Sequence, residues 1–417
     1  MKAAFVIWRI SQYRFFSSAI EEAFNRGWDV ECWHDYGHPQ TGLKAYQFPD
    51  ENHVPVFRNG VPLVRHFQSQ DELEQLPEQT KVDVVFSGDG GAKGLSEKIS
   101  CRYIELQHNA EIFWGKSPTQ LLFATGIAMY SPWWLDYATE YYRTAGLLDE
   151  PWDAFKRRLE HKTTFVGVPE FDQQNSINPE HVREKYGLPK DKKVVCLLPF
   201  PAISSLAFWP RHIFLESSRL KQLMQIAYKR RFEYLRRVFD GVNERAFAKS
   251  LRAFCDRNDA LLVVKSRKKT PVYSHLAAES DLVLFDRGHY PATLFELLKI
   301  ADLSMSFQSN AVFASIAFGV PHYSVRIPVD DFFDSDTERD RNSRVRFSNY
   351  FNLGPDGPFD FEGVTTATDI PEAIAELPGR KLSSFVLNPE RTDQYVAKFV
   401  GAIDGQSSAR LLDIGAC

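Results

Sequence analysis

The stretch His181-Val182-Arg183-Glu184-Lys185-Tyr186-Gly187-Leu188-Pro189-Lys190-Asp191-Lys192-Lys193-Val194-Val195-Cys196-Leu197-Leu198 decides the fold. Residues 180–186 fit a short helix. Gly187 through Asp191 is a turn-rich break, and 193–198 is a run made almost wholly of apolar residues, as in a strand buried on both faces. The same alternation begins at residue 3. Residues 3–8 read as a strand. Residues 14–26 read as a helix, with Phe15, Ala19, Ile20, Ala23 and Phe24 on one face and Gly27 as its stop, and 28–33 read as the next strand. Further strands are expected at 82–87, 103–107, 126–130 and 163–168. After 193–198 they recur at 260–265, 282–285, 303–307 and 321–325, with helices at 244–258, 292–301 and 310–318. Short strands alternating with helices make a parallel sheet covered on both faces. The pattern restarts near residue 190, so the expected class is α/β with two Rossmann-like domains facing a cleft. The expected boundaries are 1–175, 176–390 with an insertion at 203–240, and 391–417, a helix and tail crossing back to the first domain.

Composition narrows the function classes. The chain has 417 residues, 50 Lys+Arg against 54 Asp+Glu and a formal charge of −4, which excludes bulk nucleic-acid binding. Hydrophobic residues at 44% and charged residues at 25% exclude a mainly disordered chain. The five cysteines, Cys32, Cys101, Cys196, Cys255 and Cys417, are scattered and form no C-x-x-C pair. They read as reduced thiols of a cytoplasmic protein. Residues 1–8 are too short an apolar run for a signal peptide, and no run of 18 apolar residues occurs, so no membrane-spanning helix is expected.

Three segments carry a resemblance, and they occur in order. Phe165-Val166-Gly167-Val168-Pro169-Glu170-Phe171-Asp172 leads into the stretch quoted above and on to Pro199. Ala301-Asp302-Leu303-Ser304-Met305-Ser306-Phe307-Gln308-Ser309-Asn310 is followed by Ala317-Phe318-Gly319-Val320-Pro321. Leu106-Gln107-His108-Asn109-Ala110 closes a strand of the first half. Together they cover about a third of the chain. They resemble GT-B glycosyltransferases, in particular the CDP-glycerol glycerophosphotransferase-like and bacterial capsule-sugar transferase families. The resemblance implies GT-B architecture and transfer of a sugar from a nucleotide-activated donor to a glycan or glycolipid in bacterial surface polysaccharide synthesis, a CMP-linked acidic sugar such as Kdo among the donors. A CDP-alditol glycerophosphotransferase-like enzyme is one alternative, and a non-catalytic nucleotide- or glycan-binding scaffold is another.

Open α/β sheets hold ligands at the carboxyl ends of their strands. Ser306, Gln308, Ser309 and Asn310 lie at such an end, ahead of a helix whose first amides favour phosphate; Ser and Asn are also ordinary N-cap residues. Lys265 and Arg267 follow another strand. Relatives often have a histidine where Arg267 falls; arginine clamps phosphate but moves no proton at neutral pH. His108 and Glu111 are candidates for taking the acceptor proton, although a buried structural histidine satisfies the same sequence. Asp89, in Ser87-Gly88-Asp89-Gly90-Gly91, and Asp240 are further carboxylate candidates. No glutamate pair of the common retaining subgroup is present, since Gln308 and Ser315 occupy that spacing. No metal site is expected: Asp330-Asp331 and Asp334-Ser335-Asp336 read as a solvated loop. No cofactor beyond the activated donor is expected. Residues 219–237 hold seven cations and one acid, a local charge of +6, among apolar residues at helical spacing. Such a helix suits peripheral contact of 219–239 with anionic lipid at the inner face of the cell membrane, or a solvated face packed on its own domain.

Overall fold

The computed structural model describes residues 1–37, 51–88, 99–108, 117–199, 244–266, 272, 274–285, 288–307, 309–326 and 356–416. Its first sheet has seven strands, β1 (Lys2–Ile7), β2 (Asp29–Asp35), β3 (Leu63–Phe67), β4 (Val84–Ser87), β5 (Arg102–Leu106), β6 (Gly126–Met129) and β7 (Thr163–Phe165). They lie in the order β3-β2-β1-β4-β5-β6-β7, all parallel. The second sheet has six, β8 (Lys193–Leu198), β9 (Ala260–Ser266), β10 (Leu282–Phe285), β11 (Leu303–Ser306), β12 (His322–Arg326) and β13 (Thr365–Asp369), in the order β10-β9-β8-β11-β12-β13, again parallel. Both orders reverse beside the first strand of the set, which is the doubly wound Rossmann pattern.

The strand starts are pinned by aspartates one residue ahead of them. Asp83 accepts from the Lys2 amide at 2.7 Å, Asp302 from the Val194 amide at 2.9 Å and Asp281 from the Leu262 amide at 2.7 Å. Each carboxylate satisfies an amide on the neighbouring strand, which fixes register where the ladder begins. Ala3 through Ile7 are fully buried, so β1 is the centre of the first core. The second core packs Val195, Leu197, Leu262, Val264, Leu303, Met305, Tyr323 and Val325 of the sheet against Phe247, Leu251 and Phe254 of the helix Glu244–Arg257.

The chain divides into two compact units. One comprises Met1–Asn178, Arg287–Glu296 and Asp393–Cys417; the other comprises Pro179–Asp286 and Leu297–Thr392. Within the first unit the last helix, Ser407–Ala416, lies against the helix Gln12–Asn25 and against β4, β5 and β6. Arg26 pairs with Asp413 at 2.6 Å, Arg102 donates to the Gly415 carbonyl at 3.1 Å, and Asp172 accepts from the Ser407 and Ser408 amides. The sequence pattern predicts one helix over 391–403. The structure instead has a helix at Pro389–Tyr395, a π turn at Val396–Val400, and a break at Gly401, whose φ of 83° and ψ of −129° belong to glycine.

The described cysteines are free, and Cys32, Cys196 and Cys255 are buried. Burial pushes all three thiols up to about 12. Among the described residues no helix is long and apolar enough to cross a membrane.

Candidate functional site

In the second unit the switch point of the sheet falls between β8 and β11. Strand register shows what converges there. Val264 pairs with Leu197 and Ser306 with both Leu198 and Ser324. One step further along β9 sets Lys265 beside Leu198. Lys265, Leu198, Ser306 and Ser324 therefore form one transverse row across four strands, at their carboxyl ends. Side chains alternate across a strand, so the row shares the sheet face opposite Val264, Leu197, Met305 and Tyr323. One row behind lie Val263, Cys196, Ser304 and His322.

Lys265 and the β11 tip are thus two strands apart, about 10 Å between backbones, on a single face. Lys265 is only 7% exposed. Its charge is felt at Cys196, where it opposes the larger upward push of burial on the thiol. Just past Ser306, Ser309 is partly exposed and its hydroxyl accepts from the Ala311 amide at 3.3 Å. Asn310 begins the helix Ala311–Ala317 without a side-chain cap. Its Oδ1 is shielded from solvent and has no partner among the described residues. The Val312 and Phe313 amides bond back to the Ser309 and Asn310 carbonyls at 3.0 and 3.2 Å. The helix end at this tip therefore has its first amides already engaged.

Ser306 lies at the end of β11, just ahead of that tip. It is fully buried, and its hydroxyl meets His322 Nε2 at 2.9 Å. His322 is missing from the sequence expectations because a histidine in Val320-Pro321-His322-Tyr323-Ser324-Val325 reads as strand interior. The available signal is the period-2 alternation of polar Ser304/Ser306 and His322/Ser324 with apolar Leu303/Met305 and Tyr323/Val325, which marks a polar sheet face.

In the first unit the switch point falls between β1 and β4. Gln12, only 2% exposed, closes it. Its Oε1 accepts from the Trp8 and Arg9 amides at 2.5 and 3.1 Å, and its Nε2 donates to the Gly88 carbonyl at 3.1 Å. Trp8 Nε1 donates to Ser87 Oγ at 3.3 Å. The first amides of the helix Gln12–Asn25 are also taken, by Arg9, Ile10 and Ser11 carbonyls. The Gln12 side chain thereby ties the turn after β1 to the Gly88 carbonyl at the end of β4. Gln12 was absent from the sequence candidates; a lone amide residue at a helix start carries no distinctive pattern.

His108 follows β5 at its carboxyl end, partly exposed, with its ring 4.0 Å from that of Phe15. The Arg14 guanidinium lies 4.7 Å over the Phe15 ring and pairs with Glu170 at 2.7 Å. Burial pushes the Glu170 carboxyl up, and Arg14 pulls the other way. Glu111, Asp89, Asp240, Arg267, Gln308 and the cationic stretch 219–239 lie outside the described residues. Among the described residues no group of three or more His, Cys, Asp or Glu side chains could hold a metal ion.

No family model matches the chain, and no curated protein matches it. Solved structures do. The wall teichoic acid polymerase TagF superposes with a TM-score of 0.54 at 14% identity, over 100% of this chain and 88% of that one. The fold is that of the GT-B proteins. A putative UDP-N-acetylglucosamine 2-epimerase from Listeria monocytogenes gives a TM-score of 0.54 at 10% identity, over 99% of this chain and 94% of that one. S. aureus MnaA with UDP gives 0.50 at 11%, with the same coverage. The GT-B fold thus carries a polymerase in one neighbour and an epimerase in another, and the chemistry of this chain must be argued from its own residues.

Proposed function

We propose that the chain is a GT-B-type transferase that moves a sugar from a nucleotide-activated donor to a glycan or glycolipid in bacterial surface polymer synthesis. The observation that supports it is the placing of Lys265 and the β11 tip on one face, at the carboxyl ends of strands that flank β8, beside the switch point of the second sheet. A half-buried polar tip flanked by a cation stabilises the negative charge that grows on a leaving phosphate. Arg267, two residues beyond Lys265, adds a second cation in this scheme, and Gln308 a further polar contact. His108 is the base for the acceptor hydroxyl, with Glu111 as its partner and Asp89 and Asp240 as further carboxylates. The cationic stretch 219–239 attaches the enzyme to anionic lipid at the inner face of the membrane.

A CMP-linked acidic sugar such as Kdo is the donor we favour over a CDP-alditol, because Arg267 stands where glycerophosphotransferase-like relatives carry a histidine. The test is nucleotide release over a panel of UDP-, GDP-, CDP- and CMP-linked donors with lipid-linked glycan acceptors. Transfer from a CMP-sugar releases CMP and leaves no phosphate on the product. CMP release with phosphate retained on the product selects the alditol-phosphate alternative. Tight nucleotide binding with no release from any donor selects the scaffold and refutes the enzyme.

A further inference from the structure

The face of the second sheet that carries Lys265 and the β11 tip is backed by a closed polar network. Ser315 Oγ, on the helix Ala311–Ala317, donates to the Ala311 carbonyl at 2.8 Å. Its lone pairs therefore meet Ser304 Oγ, 2.7 Å away, and the Ser304 hydrogen is spent on Ser315. Ser304 must then accept from His322 Nδ1, at 2.6 Å. That assignment leaves Nε2 bare, so Ser306, at 2.9 Å, donates to it. This assignment gives every atom of the chain a partner. It runs from the last residue of β11, through β12, back to β11 and up to the first residue of the helix. Ser304, Ser306, Ser315 and His322 are each 1% exposed or less.

The opposite face of the same two strands is filled by Leu303, Met305, Tyr323 and Val325 in the ordinary way. Apolar burial is non-directional, whereas a buried hydroxyl that loses its partner keeps its full desolvation cost. A hydrogen-bonded chain anchored at both ends of the β11-to-helix connection therefore fixes that connection at one height. Only Phe307, Gln308, Ser309 and Asn310 lie between its two anchors, Ser306 and Ala311.

We propose that His322 is a positioning residue for the nucleotide donor: through Ser306 it sets the end of β11, through Ser304 and Ser315 the start of the following helix, and so it holds Ser309 and Asn310 where the donor phosphates are met. The inference rests on the donor-seat assignment made above. Ser306 acts through the strand and not by touching the donor, because it is fully buried with its hydroxyl against His322.

The two nitrogens can be removed one at a time. Glutamine places its terminal amide near the Nε2 position and keeps the bond to Ser306. Asparagine reaches only the Nδ1 position and loses it. The experiment titrates the full-length protein with CMP and CDP by calorimetry, for wild type, His322→Gln, His322→Asn, Ser306→Ala and Ser315→Ala, and records melting temperatures alongside. Asn and Ser306→Ala should weaken nucleotide binding about tenfold, the factor expected for one hydrogen bond. Gln should stay within threefold of wild type, and Ser315→Ala should weaken binding as Asn does. The pattern must hold when Gln and Asn melt within a few degrees of each other. Equal affinities for Gln and Asn overturn the proposal, as do losses that merely track melting temperature across the set. If the wild type itself binds no nucleotide, the donor seat is refuted and this inference with it.

Discussion

Replacing Lys265 with methionine separates charge from packing in the proposed donor seat. Lys265 as a residue is 7% exposed, so its charge is less screened than that of a surface lysine. Methionine keeps an unbranched apolar stem of similar reach and leaves the β9 face filled. A hydrogen bond between charged groups contributes about 1.5–3 kcal/mol. The Coulomb energy of two unit charges 4 Å apart at an effective dielectric of 20 sets an upper bound of about 4 kcal/mol. The expected loss is therefore roughly 10- to 150-fold in affinity for a nucleotide diphosphate or monophosphate. Calorimetric titration at low and moderate salt measures it. The wild type should lose affinity as salt rises, and the variant should lose less. A folded Lys265→Met protein that binds within twofold of wild type would refute the assignment of this residue to the donor phosphates.

Two further outcomes follow from other parts of the molecule. Gly401→Ala puts a side chain where φ is 83° and ψ −129°, and a β-carbon there runs into the Tyr130 carbonyl. The strain costs about 3 kcal/mol, seen as a melting temperature several degrees lower and as faster proteolytic release of the last helix; an unchanged protein would show the turn to be misplaced. The second concerns pH. Burial lowers the His322 imidazole to about 3. Between about pH 6.5 and 3 the unfolded chain takes up a proton that the folded chain refuses, so stability falls as pH falls, by up to about 1.4 kcal/mol per unit from this group, and is flat above that window. Denaturant unfolding at pH 7 and 5 should show that wild type loses more stability than His322→Gln; equal losses would mean the imidazole titrates normally.

The strands with continuous apolar runs, such as Val194–Leu198 in β8 and Ala3–Ile7 in β1, were legible because central parallel strands are buried on both faces. β3 and β13 were not. Leu63-Val64-Arg65-His66-Phe67 and Thr365-Thr366-Ala367-Thr368-Asp369 lie at sheet edges, where polar residues interrupt the strand and no long apolar run survives. The helix Gln70–Thr80 lacks a strong apolar stripe and is absent from the sequence reading, although Ser69 accepts from the Glu72 amide, the S-x-x-E pattern of a capped terminus. At the site, the strand tips bearing Lys265, Ser309, Asn310 and His108 could be found by position alone. What Ser306 does could not. Its role depends on which of two faces it shares with His322, sixteen residues away, and that is a matter of register between strands.

The return of the chain's last helix to the first unit has a consequence for synthesis on the ribosome. Phe86 of β4 and the adjoining face of β5 and β6 are covered by residues 407–416, which emerge only after every strand of the second sheet has been made. The unit translated first is thus completed last, and nascent chains arrested anywhere in the second half would display an uncovered apolar floor to chaperones.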